Sequence, residues 1–126
     1  MNNETLNIFY NNDVKNRFLN QFTNEKTKEV YKRVFDKSRY LEIENGKDLF
    51  DFDEYDLNLL LESYISPKTK QSARTYGNII SSYIDWAIDK GYSKNKVFNR
   101  IHDRQEYFNS FANKQNSLYL SKDEID

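Results

Sequence analysis

Helix-breaking residues are scarce in this chain, and that scarcity limits the folds open to it more than any other feature. Across 126 residues there is one proline, Pro67, and three glycines, Gly46, Gly77 and Gly91. These two residue types punctuate secondary structure most strongly, so their rarity favours long helices. The strict apolar/polar alternation of a half-buried strand is missing. The chain therefore reads as all-α, a compact bundle of four to five helices. Its length falls within the range of one domain, roughly 100–150 residues.

Apolar spacing and end signals place the helices. Val14, Phe18 and Phe22 recur every four residues and predict a first helix over 12–21. Asn24 is a good N-cap for a second helix. Its core stripe is Thr27, Val30, Tyr31, Val34, Ser38 and Leu41, and Asn45-Gly46 is its stop signal. Asp51, Asp53 and Glu54 open a third helix over 53–64, with Leu57, Leu60, Leu61 and Tyr64 on its apolar face. Ser66-Pro67 breaks the chain, with Pro67 suited to the first position of the next helix. That fourth helix, over 68–90, is the clearest: Ala73, Tyr76, Ile80, Tyr83, Ile84 and Ala87 make one stripe, widened by Ile79 and Trp86. Lys90-Gly91 closes it. Residues 95–112 predict a fifth helix around Val97, Ile101, Phe108 and Phe111, followed by a polar linker over 113–117.

The hydrophobic fraction is only 37%, but it includes 10 Tyr, 9 Phe and 1 Trp. Large rings bury much apolar area per residue, so a thin aromatic core is enough to fold the chain. Disordered segments lack such rings.

The formal net charge is −1. Its distribution is uneven. Residues 13–39 carry eight Lys/Arg against four Asp/Glu, residues 40–65 one against eight, and residues 66–104 eight against three. Two basic blocks thus flank an acidic one. A surface split in this way can present a positive face to an anion despite a net charge near zero.

Several chemistries are excluded. The chain has no Cys, which removes disulfides, thiolate zinc sites and cysteine nucleophiles. A single histidine, His102, cannot build a multi-histidine metal site. The three glycines lie too far apart for a phosphate-binding loop. No Gly-x-Ser-x-Gly elbow is present. The acidic run 51–56 lacks the spacing of an EF-hand. Neither a catalytic site nor a cofactor is expected within these residues. No apolar run approaches the ~20 residues of a membrane span, and the first ten residues lack the pattern of a signal peptide, so the default location is the cytoplasm.

A set of motifs then points to a family. Thr27-x-x-x-Tyr31-x-Arg33, an acidic helix, Ser66-x-x-Thr69, Arg74, Tyr83, Trp86-Ala87 and Gly91 follow in order. Together they resemble the core-binding (SAM-like) N-terminal domain of phage integrases and other tyrosine recombinases. The resemblance runs from about Val14 to the end of the chain. The chain departs from the family after the Gly turn, where many members read Asn-Pro and this one reads Asn95-Lys96-Val97-Phe98. Residues 1–112 then form the core-binding domain. Ser121-x-x-Glu124, a capping box preceded by Leu120, announces a further helix. Residues 113–126 are accordingly expected to be the linker and start of a truncated catalytic domain. The recombinase catalytic set belongs to that domain, and no tyrosine here takes the nucleophile's role.

The resemblance implies a clamp on double-stranded DNA, used for integration or recombination, with the second and fourth helices facing the duplex. Both basic blocks reach those helices. Lys26, Lys28, Lys32, Lys68 and Lys70 are expected to neutralise phosphates and set register, with Arg33 a further DNA-binding residue. Thr27 and Thr69 are expected to donate to phosphate, and Arg74 and Asn78 to read guanine and adenine. Tyr31, Tyr76, Tyr83 and Trp86 belong to the core rather than to base stacking. The implied partners are duplex DNA and, in a full-length protein, other recombinase subunits, whereas the isolated domain is expected to be a monomer. Two other readings stay open: a small helical protein-interaction module or accessory protein of a mobile element, and a cation-binding domain using Asp51, Asp53 and Glu54.

Overall fold

A computed structural model of the chain describes residues 12–112. Among these residues there are five α-helices and no strand. Helix α1 spans Asn12–Leu19, α2 Glu25–Asn45, α3 Glu54–Leu59 and α4 Lys70–Asp89. Helix α5 covers 104–112. Short 3-10 turns lie at Leu49–Asp51 and Val97–Asn99. The linker and capping box expected over 113–126 lie outside the described residues.

Local chemistry sets most helix ends. The Asn24 side chain accepts from the N–H groups of Lys26 and Thr27, satisfying two donors that have no intrahelical partner. Gly46 ends α2 at φ 69°, a left-handed conformation that glycine adopts without strain, and its N–H donates to the Glu42 carbonyl. Asp53 and Asp56 form a reciprocal capping box at the start of α3, each side chain accepting from the other's backbone N–H. Those hydrogen bonds hold the Asp53 carboxyl below its ordinary range, the Asp56 backbone N–H contributing most.

Three sequence expectations need correction. The third helix is not regular to its end: Leu60–Ile65 is a π-helix, closed by a bond from the Ser66 N–H to the Leu61 carbonyl at 3.0 Å. In an α-helix Leu60 and Ile65 would stand about 140° apart, yet both are buried here, and the wider turn lets both reach the core. Pro67 does not open the fourth helix. Ser66 before it adopts a left-handed conformation (φ 47°), consistent with the barrier a following proline puts on the α region. The better cap, Thr69, sits two residues later and accepts from the Ser72 N–H at 3.0 Å, so α4 starts at Lys70. Finally, 95–112 is not one helix. The Asn95 amide donates to the carbonyls of Phe50 and Phe52 (2.9 and 2.8 Å), and its Oδ1 accepts from the Val97 N–H. This side chain pins the segment to the turn before α3, and α5 begins only after Asp103, which caps it through the Glu106 N–H.

The core is aromatic. Tyr83 of α4 is fully buried, with its ring 5.2 Å from Phe18, 4.9 Å from Phe35 and 5.9 Å from Phe50. Trp86 stacks on Tyr83 and Tyr92, and Tyr31 stacks on Phe18. These rings tie α1, α2 and the 49–51 turn to α4. On another side of α4, α5 packs so closely that a Cβ on Gly77 would clash with Cγ and Cβ of Phe108. That approach explains a glycine inside a helix, where it is otherwise unfavourable by about 1 kcal/mol relative to alanine. The Tyr107 hydroxyl donates to Asn58 Oδ1 at 2.6 Å and joins α5 to α3.

A buried ionic cluster also holds the bundle. Lys15 of α1 is 2% exposed and lies 2.6 Å from Glu42 Oε2 and 2.7 Å from Asp48 Oδ2. Glu42 also accepts from the Leu49 N–H and the Ser38 hydroxyl. Asp48 accepts from the Phe50 N–H and the Tyr83 hydroxyl. One ammonium thus serves two carboxylates. Burial pushes the Glu42 carboxyl up to about 7, against the pull of Lys15, with the Asp48 charge adding to the rise.

Candidate nucleic-acid interface

The ten residues proposed as DNA contacts are all reachable from solvent. Lys26, Lys32, Arg33, Lys68, Thr69, Lys70, Arg74 and Asn78 are exposed, and Thr27 and Lys28 are half-buried. Lys28 lies 3.7 Å from Glu25. Lys26, Lys32, Arg33, Lys68, Lys70 and Arg74 have no ion pair among the described residues. Thr69 uses its oxygen as the α4 cap, which leaves its hydroxyl hydrogen to donate outward.

The α2 cations do not share one face. Successive helical residues turn by about 100°, so residues seven apart nearly align, and residues four apart fall within about 40°. Lys26 and Arg33 therefore occupy one flank of α2, and Lys28 and Lys32 another, about 130° around the helix. Lys37, four residues after Arg33, identifies what the first flank adjoins. Its ammonium donates to the Tyr64 carbonyl at 3.4 Å, so this flank borders the π-helix that leads through Ser66 and Pro67 to Lys68 and Lys70. The second flank lies toward α1, where Tyr31 stacks on Phe18.

On α4, Lys70, Arg74 and Asn78 follow one another at four-residue spacing and form one polar stripe. Asp85, seven residues beyond Asn78, continues that face. It is held by a fork from Arg104 at 2.7 and 3.3 Å, and the guanidinium lies 4.0 Å over the Phe98 ring. At the other end of the stripe, Lys70 lines a groove of about 420 Å³ with Asp103, Gln105, Glu106 and Asn109. The stripe thus runs beside α5.

Charge counting by sequence block overstated the surface charge. Of the eight carboxylates in 40–65, Glu42, Asp48 and Asp56 are buried. Asp56 accepts from the Asn45 amide and binds Lys47 at 2.6 Å, and the hydrogen bond from the Lys47 ammonium to Asp56 is the largest cause of the raised Lys47 pKa. The first basic block in turn loses Lys15 to the interior. Nothing in a helical pattern distinguishes Lys15 from a surface lysine, because its partners lie 27 and 33 residues away. Two of the three carboxylates of the cation-binding reading, Asp51 and Asp53, are engaged within the protein. Asp51 accepts from the Ser93 hydroxyl and Asp53 caps α3. Among the described residues no three His, Cys, Asp or Glu side chains are grouped to hold a metal ion, and no helix is long and apolar enough to cross a membrane.

The family model described as MrpR, N-terminal core-binding domain, matches residues 9–89. The chain belongs to this family. The match ends on the last residue of α4, so α1 to α4 make up the family's part of the core-binding domain, and α5 lies beyond it. No curated protein and no solved structure matches the chain.

Proposed function

We propose that this core-binding domain grips double-stranded DNA through α2 and α4, as the N-terminal part of a clamp in a site-specific tyrosine recombinase. One observation carries the reading. In a member of a core-binding family, the start and polar stripe of α4 present Lys68, Lys70 and Arg74 to solvent with no carboxylate partner among the described residues. Unpaired surface cations are suited to neutralising phosphates, the dominant source of affinity for nucleic acid. Arg74 and Asn78, one turn apart, have the donor geometry that reads guanine and adenine in the major groove. The finer assignment, to phage integrases and other tyrosine recombinases, rests on the motif order from Thr27 to Gly91. On this reading the partners are duplex DNA and, in the full-length protein, other recombinase subunits.

The test is an NMR titration of the labelled chain with a short generic duplex at low and at higher salt. Shifts concentrated on 24–33 and 68–78 that fade with salt support the reading. No shift at low salt, or shifts confined to α3, would refute it and favour a protein partner.

A further inference from the structure

Building on the DNA reading, we propose that the duplex lies along the flank of α2 that carries Lys26, Arg33 and Tyr40, and that Tyr40 is a contact residue at its far end. The Lys28–Lys32 flank then faces away.

The arrangement of the cations separates the flanks. On the α1 side, two of three cations are engaged: Lys28 lies 3.7 Å from Glu25, and Arg39, further along that side, lies 3.8 Å from Asp36, whereas Lys32 has no carboxylate partner among the described residues. On the other side, Lys26 and Arg33 have no carboxylate partner among the described residues, and Glu29, four residues before Arg33, does not pair with it. Lys37 meets the Tyr64 carbonyl and no carboxylate among the described residues. This is also the flank that adjoins the segment leading into Lys68 and Lys70. Phosphates are thus offered Lys26, Arg33 and Lys37 without a carboxylate partner among the described residues on one side of α2, and Lys32 alone on the other.

Tyr40 extends that flank. Residues 26, 33 and 40 are spaced by sevens, which keeps them in register along a helix. Tyr40 is 68% exposed; among the described residues the other strongly exposed ring is Tyr55, at 72%, which sits on the acidic helix α3. The three residues span about 21 Å at 1.5 Å per residue, the length of roughly six base pairs at 3.4 Å each. A tyrosine hydroxyl is a common donor to backbone phosphate.

The test compares charge-matched variants of the 126-residue chain, with binding to a generic duplex followed by fluorescence anisotropy across a salt series. Lys26→Ala with Arg33→Ala is expected to lower the slope of log K against log salt by about 2, and Lys28→Ala with Lys32→Ala to leave it unchanged. Tyr40→Ala is expected to weaken binding about tenfold, the loss of one hydrogen bond to a charged group. Tyr40→Phe should reproduce most of that loss. A larger effect from the Lys28/Lys32 pair, or no effect of Tyr40→Ala, overturns this inference while leaving the DNA reading intact. Failure of the unmodified chain to bind any duplex overturns both.

Discussion

Replacing Lys15 by methionine removes the ammonium but keeps an unbranched apolar stem, and the consequence can be worked out from its contacts. Glu42 and Asp48, 0% and 6% exposed, would lose partners at 2.6 and 2.7 Å. Two carboxylates would remain in the interior with no cation in place of the lysine. Removing one partner of a buried ion pair typically destabilises by about 3–5 kcal/mol, because a charge is left uncompensated. A domain of this size has a total stability of about 5–15 kcal/mol, so a fifth or more would be lost. With a urea slope of about 1–2 kcal/mol per molar, the midpoint should fall by about 1.5–5 M. Urea unfolding followed through Trp86, which packs against Phe18 of α1, reports the change directly. Adding Glu42→Gln to Lys15→Met should recover part of the loss by neutralising one of the two charges. A loss below about 1 kcal/mol, well under the range for broken buried pairs, would refute the reasoning and show that aromatic packing alone docks α1.

Three further outcomes are expected. With the folded Glu42 carboxyl at about 7 against an ordinary 4.5, the folded state binds more protons than the unfolded one between those values. The contribution of this group to stability is therefore fully present below about pH 4.5 and is lost as pH rises through about 7. Denaturation between pH 5 and 8 should show this decline, and Glu42→Gln should flatten it. Gly77→Ala should destabilise by about 1–3 kcal/mol despite better helix propensity, because the added Cβ meets not only the Phe108 ring but its Cβ, which moves only with the backbone of α5. A thermal melt that shows stabilisation would disprove the close approach of α5. If Lys26, Arg33, Lys68, Lys70 and Arg74 all meet phosphate, the salt slope should be about −4.5, a loss of about 500-fold between 50 and 200 mM salt. A slope shallower than −2 would mean that most of these cations never reach the duplex.

What the sequence alone determined was local. Asn24, Gly46 and Asp53 mark helix ends by bonds to their own neighbourhood, so their roles were legible without the fold. The four-residue spacing of Phe18, of the α2 stripe and of Lys70, Arg74 and Asn78 likewise fixed which residues share a face, because that follows from helical pitch. The family resemblance carried by Thr27, Tyr31, Arg33 and Arg74 anticipated the core-binding match. Tertiary structure decided the rest. Whether Lys15 is a surface charge or the centre of a buried cluster depends on carboxylates 27 and 33 residues away. Asn95 ends one segment and delays another helix because the Phe50 and Phe52 carbonyls lie within its reach. The π-turn at 60–65 exists because Leu60, Leu61 and Ile65 must all enter one core. Pitch divides the α2 cations into two flanks, but only the contact of Lys37 with Tyr64 shows which flank adjoins the start of α4. A sequence pattern encodes spacing along one helix, whereas the partner across an interface is set by packing between helices, and the choice between the two flanks depends on that packing.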